Sequence, residues 1–459
     1  MAINNKPHAE GGVREMMALA LPMVVSYGCD TIMMFCDRLL LSKLGPDLMN
    51  AAVAGGVAAF LMVSFGFGML GYGTALVAQY LGAQQKQNCP AVTSQSWILA
   101  VVLYLIVLAL RPFVVQLFSH AGVPESQLAA QIAYFDIMSY GSILVFVRHS
   151  LASFFSGIGR TRVVMTASLL AMVVNVIASF ILIYGHLGFP ALGIRGAAYG
   201  TLFASFCAIL MLARAFFSKQ NQAEFGVAQA IRFDPAVMQK LLRYGFPSGV
   251  EMLLTLLAAN AFVLSFHSLG PVVATASSVL MNWDIAAYIP LMGMEIGVTS
   301  LVGRYMGAGR PEIAHRVTMS GLKVGCVYAA VLFIWFGLLA QPMVEIFRPI
   351  ADQAVFAAAL PMAVVMLRLV SLYLFSIVLV IVFIGALRGA GDTLWAMGYH
   401  VTLHWLSAAA LYASTRFLGF TAVQGWMCVI AVFMVFSVGA WLRYRQGKWR
   451  GLRVVGTSS

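Results

Sequence analysis

Long apolar runs separated by short polar segments recur along the whole chain of 459 residues. A helix needs about 20 mostly apolar residues to cross a bilayer, and twelve runs meet that length. In lipid every backbone polar group must be bonded within its own segment, so helices are expected. The pattern therefore predicts an all-α integral membrane protein with twelve transmembrane helices. The runs cover approximately residues 15–41, 48–82, 93–118, 127–156, 163–186, 191–217, 238–267, 272–306, 318–347, 354–387, 394–416 and 421–444.

The second half of the chain repeats the first half at a shift of 225 residues. Pro22 falls on Pro247, and segments 44–83 and 269–308 are identical at 12 of 40 aligned positions. Six spans return the chain to its starting side, so the repeats are parallel, as in some secondary transporters. We therefore predict two six-helix lobes around a central cavity. The predicted boundaries are an N-lobe at 1–217, a cytoplasmic linker at 218–236, a C-lobe at 237–446 and a basic cytoplasmic tail at 447–459.

The composition excludes several classes of protein. Hydrophobic residues make up 61% of the chain and charged residues 10%, whereas a soluble domain carries about 25% charged residues. A soluble enzyme, a disordered protein and a disulfide scaffold are thereby excluded. A net charge of +12 would suggest a nucleic-acid partner in a soluble protein, but the apolar content argues against one here.

The positive charge instead indicates how the chain lies in the membrane. With the N-terminus in the cytoplasm, 21 of the 28 Lys and Arg residues lie inside, six lie outside, and Arg368 lies within a helix. This asymmetry is the positive-inside pattern. We expect a multi-pass protein of the plasma (bacterial inner) membrane with both termini in the cytoplasm and its basic tail against anionic lipid headgroups. The first run is too long for a secretory signal peptide, so the first helix should be retained.

Two carboxylates in the first span are candidates for ion coupling, because a charge within a membrane is costly and usually functional. Asp37 follows Asp30 by about two helical turns, so the two share one face of the helix. Asp37 is interpreted as a carboxylate that binds a proton or a cation. The alternative is that it pairs with the nearby Arg38 or Lys43.

The other carboxylates within the spans are open to two interpretations. Glu251, Asp284 and Glu295 lie in the seventh and eighth spans and are candidates for binding substrate in the C-lobe. Alternatively they form interhelical hydrogen bonds or an ion pair with Arg368. Asp136 lies near an outer helix entry, where a solvated role is favoured.

Other motifs bear on energy coupling and cofactors. The chain contains no GxxxxGK[ST] motif for ATP, so an ion gradient should drive any transport. His400 and His404 share one helix face, but no third metal ligand is evident. We therefore expect no metal, no cofactor and no enzyme activity. Pro22 and Pro247 each remove a backbone donor and so permit a helix bend.

These features together resemble the multidrug and toxic compound extrusion (MATE) family. The resemblance covers nearly the whole chain, and it depends on the order and spacing of several loose motifs. They are Asp37-x7-Gly45, Ala78-Gln-Tyr-Leu-Gly-Ala83, Gly157-Ile-Gly-Arg-Thr161, Gly193-Ile-Arg-Gly-Ala-Ala198 and Leu387-Arg-Gly-Ala-Gly-Asp-Thr393.

The resemblance implies an antiporter that exports organic, cationic and lipophilic drugs or toxins by alternating access, in exchange for H⁺ or Na⁺. Asp37 matches the family's first-helix Asp, Asn175 its fifth-helix Asn, and Thr201 a sixth-helix Thr near the same site; Asp30 is added as a helper. The partners would be small organic cations and membrane lipids, and the protein a monomer.

Departures from the family pattern leave the coupling ion and the substrate open. Ser179 stands where many members have an Asp, and Ile377 where some have an acid. Thr255 stands where some have Glu, with Glu251 one turn earlier. The first alternative function is a lipid-linked saccharide flippase of a related superfamily; the excess of intramembrane acids over Arg368 favours a cationic substrate instead. The second alternative is an intramembrane metal-dependent enzyme that would use His400 and His404.

Overall fold

The computed structural model describes residues 10–120, 123–349 and 353–456. The first nine residues of the predicted N-lobe and the last three of the predicted tail lie outside these ranges. All regular elements in the described ranges are helical. In chain order the α-helices are α1 (Val13–Ser42), α2 (Pro46–Gly71), α3 (Gly73–Gly82), α4 (Asn88–His120), α5 (Glu125–Tyr140), α6 (Ser142–Gly157), α7 (Thr161–Tyr184), α8 (Ile194–Phe216), α9 (Lys219–Phe225), α10 (Pro235–His267), α11 (Pro271–Gly307), α12 (Pro311–Glu345), α13 (Gln353–Ala390), α14 (Thr393–Arg416) and α15 (Ala422–Arg445). Two short 3-10 helices, Val227–Ala230 and Lys448–Gly451, complete the regular elements of the described residues.

Each of the twelve predicted spans falls on one long helix or on a pair of consecutive helices. Among the described residues ten spans are long and apolar enough to cross a membrane, with α2 and α3 counted as one. An eleventh is formed by α5 and α6, which are bent by 45°. The twelfth, α14, has 24 residues but is less apolar, because it carries His400, His404 and several hydroxyl side chains. The predicted all-α membrane fold is confirmed.

Two compact units make up the described chain. The first contains residues up to Val24 together with Leu254–Arg453, and the second contains Val25–Leu253 together with the residues from Val454 onward. The divisions fall inside α1 and α10, a few residues after Pro22 and Pro247. The lobe boundaries at 217 and 237 come from the sequence repeat and stay a prediction.

Two glycines at equivalent positions of the repeat each lie against the first long helix of a half, α10 in one case and α1 in the other. A Cβ on Gly68 of α2 would lie 2.4 Å from the Ser248 carbonyl oxygen of α10. A Cβ on Gly293 of α11 would lie 2.6 Å from the Val24 backbone nitrogen of α1. Only glycine permits such approach, as in the small-residue contacts of other membrane helices. The start of α10 therefore packs on α2 in the second unit, and the start of α1 packs on α11 in the first.

Candidate functional site

Asp37 lies with Asn175 and Thr201 at a junction of α1, α7 and α8 in the second unit. Thr201 Oγ1 donates a hydrogen bond to Asp37 Oδ2 over 2.9 Å. Asn175 Nδ2 donates to the same oxygen over 3.4 Å and to Thr201 Oγ1 over 3.1 Å. Asp37 is 8% exposed and Asn175 is fully buried. The structure therefore brings together three residues that lie far apart in the sequence.

Close packing of α7 against α8 positions two of these side chains. A Cβ on Gly200 would lie 2.6 Å from Ser179 Oγ, and one on Gly196 would lie 2.5 Å from the Leu182 carbonyl oxygen. The two glycines are four residues apart, which is the spacing that lets membrane helices approach closely. This contact sets Thr201, next to Gly200, beside Asn175.

The cluster carries a single negative charge among neutral polar groups. Asp37 has no Arg or Lys ion-pair partner within the described part of the chain, so neither Arg38 nor Lys43 neutralises it. Asp37 Oδ1 and Asn175 Oδ1 are buried and accept no hydrogen bond from any described residue. Ser179 Oγ also lies near, and accepts from Asn175 Nδ2 over 3.4 Å. A carboxylate with a spare oxygen and neutral neighbours can bind a proton or a small monovalent cation.

Asp30 has a different environment from Asp37. Its Oδ1 accepts a hydrogen bond from Arg148 Nη2 of α6 over 2.8 Å, and the same guanidinium reaches Ser168 Oγ over 3.3 Å. The structure therefore gives Asp30 an arginine partner and does not place it in the Asp37 cluster. A role for Asp30 in ion coupling stays a prediction.

Two of the three C-lobe candidates have partners of their own on α13. Glu295 of α11 forms an ion pair with Arg388 of α13, and Asp284 accepts a hydrogen bond from the Tyr373 hydroxyl. Glu251 is 4% exposed and belongs to the second unit. Their role in substrate binding stays a prediction.

The sequence did not predict which arginines pair with the carboxylates of the spans. The partner of Glu295 is Arg388, which stands in the Leu387-Arg-Gly motif, and not Arg368. Asp136 forms a two-point ion pair with Arg111, at 2.7 and 2.6 Å. The motif gave a signal for Arg388, but spacing within one helix does not reveal which residue of another helix will face it.

The two prolines for which a bend is predicted and the histidine pair lie within long helices. Pro22 and Pro247 lie inside α1 and α10 as expected. His404 Nδ1 lies 2.9 Å from the His400 carbonyl oxygen, a local contact within α14. Within the described residues no three His, Cys, Asp or Glu side chains are grouped to hold a metal ion.

Comparison with known proteins places these observations in a family. The MatE family profile matches residues 22–181 and 247–411, and the two matches begin at the same 225-residue shift as the sequence repeat. The chain is 25% identical over 447 residues to the probable multidrug resistance protein NorM of Shewanella oneidensis, covering 97% of this chain and 92% of that protein. It is 24% identical over 383 residues to the protein of the same description from Thermotoga maritima, covering 82% and 80%.

A solved structure shows the same fold. The crystal structure of MATE in complex with MaL6 superimposes with a TM-score of 0.87 at 20% identity, covering 96% of this chain and 98% of that chain. At this level of identity the likeness concerns the arrangement of the helices.

Proposed function

The chain belongs to the MatE family of multidrug transporters, and we propose that it is an antiporter that exports lipophilic organic cations in exchange for H⁺. The family consists of transporters, so the intramembrane enzyme considered from His400 and His404 is wrong. Na⁺ is the alternative coupling ion. The choice of ion rests on the Asp37 cluster.

The observation that carries the proposal is the chemistry around Asp37. A buried carboxylate without a cationic partner is expensive to keep charged within a membrane. Thr201 and Asn175 both donate to Oδ2, which leaves Oδ1 to take up a proton. A single carboxylate is neutralised completely by one proton. Ser179 stands where many family members have a second Asp, so the site lacks a second negative charge to attract a metal cation, and this favours H⁺.

Proton binding would drive the transport cycle because the inward-facing and outward-facing states bind the proton with different affinities. A ligand shifts two conformations only by its differential affinity for them. Protonation of Asp37 removes the charge that Thr201 and Asn175 stabilise, so the contacts that hold α1 against α7 and α8 weaken. We assign to this step the change from the substrate-bound state to the state that releases substrate outward.

Helix α1 provides a continuous connection from the coupling site to the first unit. Asp37 lies in the part of α1 that belongs to the second unit, and Pro22 lies in the part that belongs to the first. Proline removes one intrahelical hydrogen bond, so the helix bends there at lower cost than elsewhere. Pro247 would serve α10 in the same way.

The remaining proposals concern substrate class, location and assembly. Lipophilic cations fit a protein in which Asp37 and Asp284 lie within the spans without an arginine partner among the described residues, and the proposed partners are such small molecules and the surrounding lipids, with no nucleic acid. We propose a monomer in the bacterial inner membrane with both termini in the cytoplasm, because the basic residues are concentrated on that side.

The test is transport by the purified protein in vesicles. A fluorescent lipophilic cation is supplied under an imposed H⁺ gradient, an imposed Na⁺ gradient, or neither. The proposal predicts concentrative transport with the H⁺ gradient and only equilibration without a gradient. Concentrative transport with the Na⁺ gradient alone would contradict the choice of ion, and equilibration under both gradients would contradict antiport.

A further inference from the structure

Arg368 is a positive charge far from both ends of a membrane helix. It is the sixteenth residue of the 38-residue helix α13 (Gln353–Ala390). At a rise of 1.5 Å per residue it lies about 22 Å from the outer end and about 33 Å from the inner end. Long basic side chains near a helix end can reach the lipid headgroups, but one this deep in a span must either be paired or face a water-filled path.

The side chain of Arg368 lies on a narrow exposed stripe of an otherwise enclosed helix. The most apolar 18-residue stretch of α13 is 78% buried, the highest share among the described spans. Arg368 is exposed, as are Val365 one turn before it and Leu372 and Phe375 one and two turns after it. The guanidinium is therefore accessible, and apolar side chains flank it on the same face.

No described residue neutralises Arg368. Its backbone carbonyl accepts a hydrogen bond from Ser371 Oγ over 2.6 Å, which leaves the charge of the guanidinium uncompensated. The two acids of neighbouring α11 are engaged elsewhere, Glu295 with Arg388 and Asp284 with Tyr373. Buried or intramembrane charges persist when they are paired or when they face a water-filled path, and the exposure of Arg368 fits the second condition.

We infer that Arg368 binds the anionic group of a transported substrate, which makes it a determinant of specificity. The planar guanidinium presents parallel N–H donors that match a carboxylate, and the flanking Val365, Leu372 and Phe375 offer contact to an apolar body. The preferred substrate is then an amphipathic zwitterion, with a cationic amine and a carboxylate on one hydrophobic scaffold. This inference rests on the proposed function, since it assumes export of organic cations, and it narrows that class.

A matched pair of dyes tests the inference. One is a cationic xanthene dye with a free carboxylate and the other is its ethyl ester, which keeps the cation and the ring system and loses the anion. Initial rates are measured in proteoliposomes of phosphatidylcholine under an H⁺ gradient. The proteins are the wild type, Arg368→Gln, Arg368→Lys and, as a control on the same stripe, Leu372→Gln.

The expected result is a selective loss of affinity for the acid. In Arg368→Gln the KM for the free acid rises about tenfold or more, because a hydrogen-bonded charge pair is lost, while the KM for the ester stays within about twofold. Arg368→Lys recovers part of the loss, and Leu372→Gln leaves the ratio of the two KM values unchanged.

Three results would overturn the inference. A parallel change for both dyes in Arg368→Gln would show a structural role. If the transport rates of both dyes fall equally when anionic phosphatidylglycerol is added to the vesicles, Arg368 binds a lipid phosphate and not the substrate. Wild-type transport of the ester but not of the acid would show that the anion is rejected. Failure of the proposed function is distinct, since the wild type would then concentrate neither dye.

Discussion

The carboxylates within the membrane spans differ in the side chains that stabilise their charge. Three carboxylates have an arginine beside them: Asp30 with Arg148, Asp136 with Arg111, and Glu295 with Arg388. Asp37 and Asp284 instead have neutral hydroxyl or amide neighbours among the described residues. A carboxylate whose charge is compensated by arginine has little reason to change protonation. The coupling role is therefore assigned to Asp37, whose side chain is more enclosed than that of Asp284.

Thr201→Val should slow ion-driven transport about tenfold, because it removes the donor nearest to the Asp37 carboxylate while nearly preserving side-chain shape. A hydrogen bond to a charged group contributes about 1.5–3 kcal/mol. Thr201→Ser retains the hydroxyl and should stay within about twofold of the wild-type rate. Initial uptake rates in proteoliposomes make the comparison; equal rates in Thr201→Val and wild type would show that this hydrogen bond is not used.

Helices α7 and α8 position the Asp37 cluster through close contacts that only glycine allows. Gly196 and Gly200 bring α8 against α7; Gly196 belongs to the Gly193–Ala198 motif of the sequence, whereas Gly200 lies just beyond it. The sequence also predicts that Asp37, Asn175 and Thr201 belong together, through the family resemblance. It could not predict that Asp30 faces Arg148, because the rotation of each helix depends on packing with several neighbours at once.

Gly200→Ala should destabilise the protein by about 1–3 kcal/mol, the usual cost of overpacking a close contact. The new methyl would meet the Ser179 backbone nitrogen at 2.9 Å, and backbone cannot move aside as a flexible side chain can. Gly398→Ala in α14 is the control, since a Cβ there meets nothing within 4 Å. Thermal unfolding in detergent makes the comparison, and equal midpoints for both variants would contradict the close packing.

The N-terminal segment before α1 should contribute stability that depends on pH. Its Glu10 pairs with Arg310 at the start of α12, and this hydrogen bond lowers the pKa of the Glu10 carboxyl below its ordinary value. A lowered folded-state pKa stabilises the protein above the unfolded pKa, near 4.3, and this stabilisation is lost as the pH falls through the folded value. Glu10→Gln should therefore unfold at a slightly lower temperature than wild type at pH 7, and the difference should vanish at acidic pH and in high salt. A difference that grows on acidification would contradict this assignment.

The whole molecule is the scale at which the sequence was most informative about fold. Lipid leaves the backbone few options, so apolar run length alone located twelve helical segments, and the 225-residue shift recurs in the two MatE matches. The sequence did not show that the compact units divide α1 and α10 internally, because a repeat is defined along the chain and a compact unit is defined in space.

The orientation of the whole molecule follows from its basic residues and can be measured with reporters. A C-terminal fusion to a fluorescent protein that matures only in the cytoplasm should fluoresce, and the same fusion to alkaline phosphatase, which matures only outside, should be inactive. A fusion placed after Ser42, at the predicted outer end of the first span, serves as the reciprocal control. Activity of the C-terminal phosphatase fusion would contradict the proposed topology.

The most direct test of the central claim is proton-driven efflux by Asp37→Asn. The amide keeps the size and the polar contacts of Asp37 but binds no proton. The control is Asp136→Asn, which changes a span carboxylate that has an arginine partner. Both variants and the wild type are reconstituted under the same imposed H⁺ gradient. The account predicts that Asp37→Asn folds and binds the fluorescent cation but no longer concentrates it, while Asp136→Asn does. Concentrative transport at the wild-type rate by Asp37→Asn would contradict it.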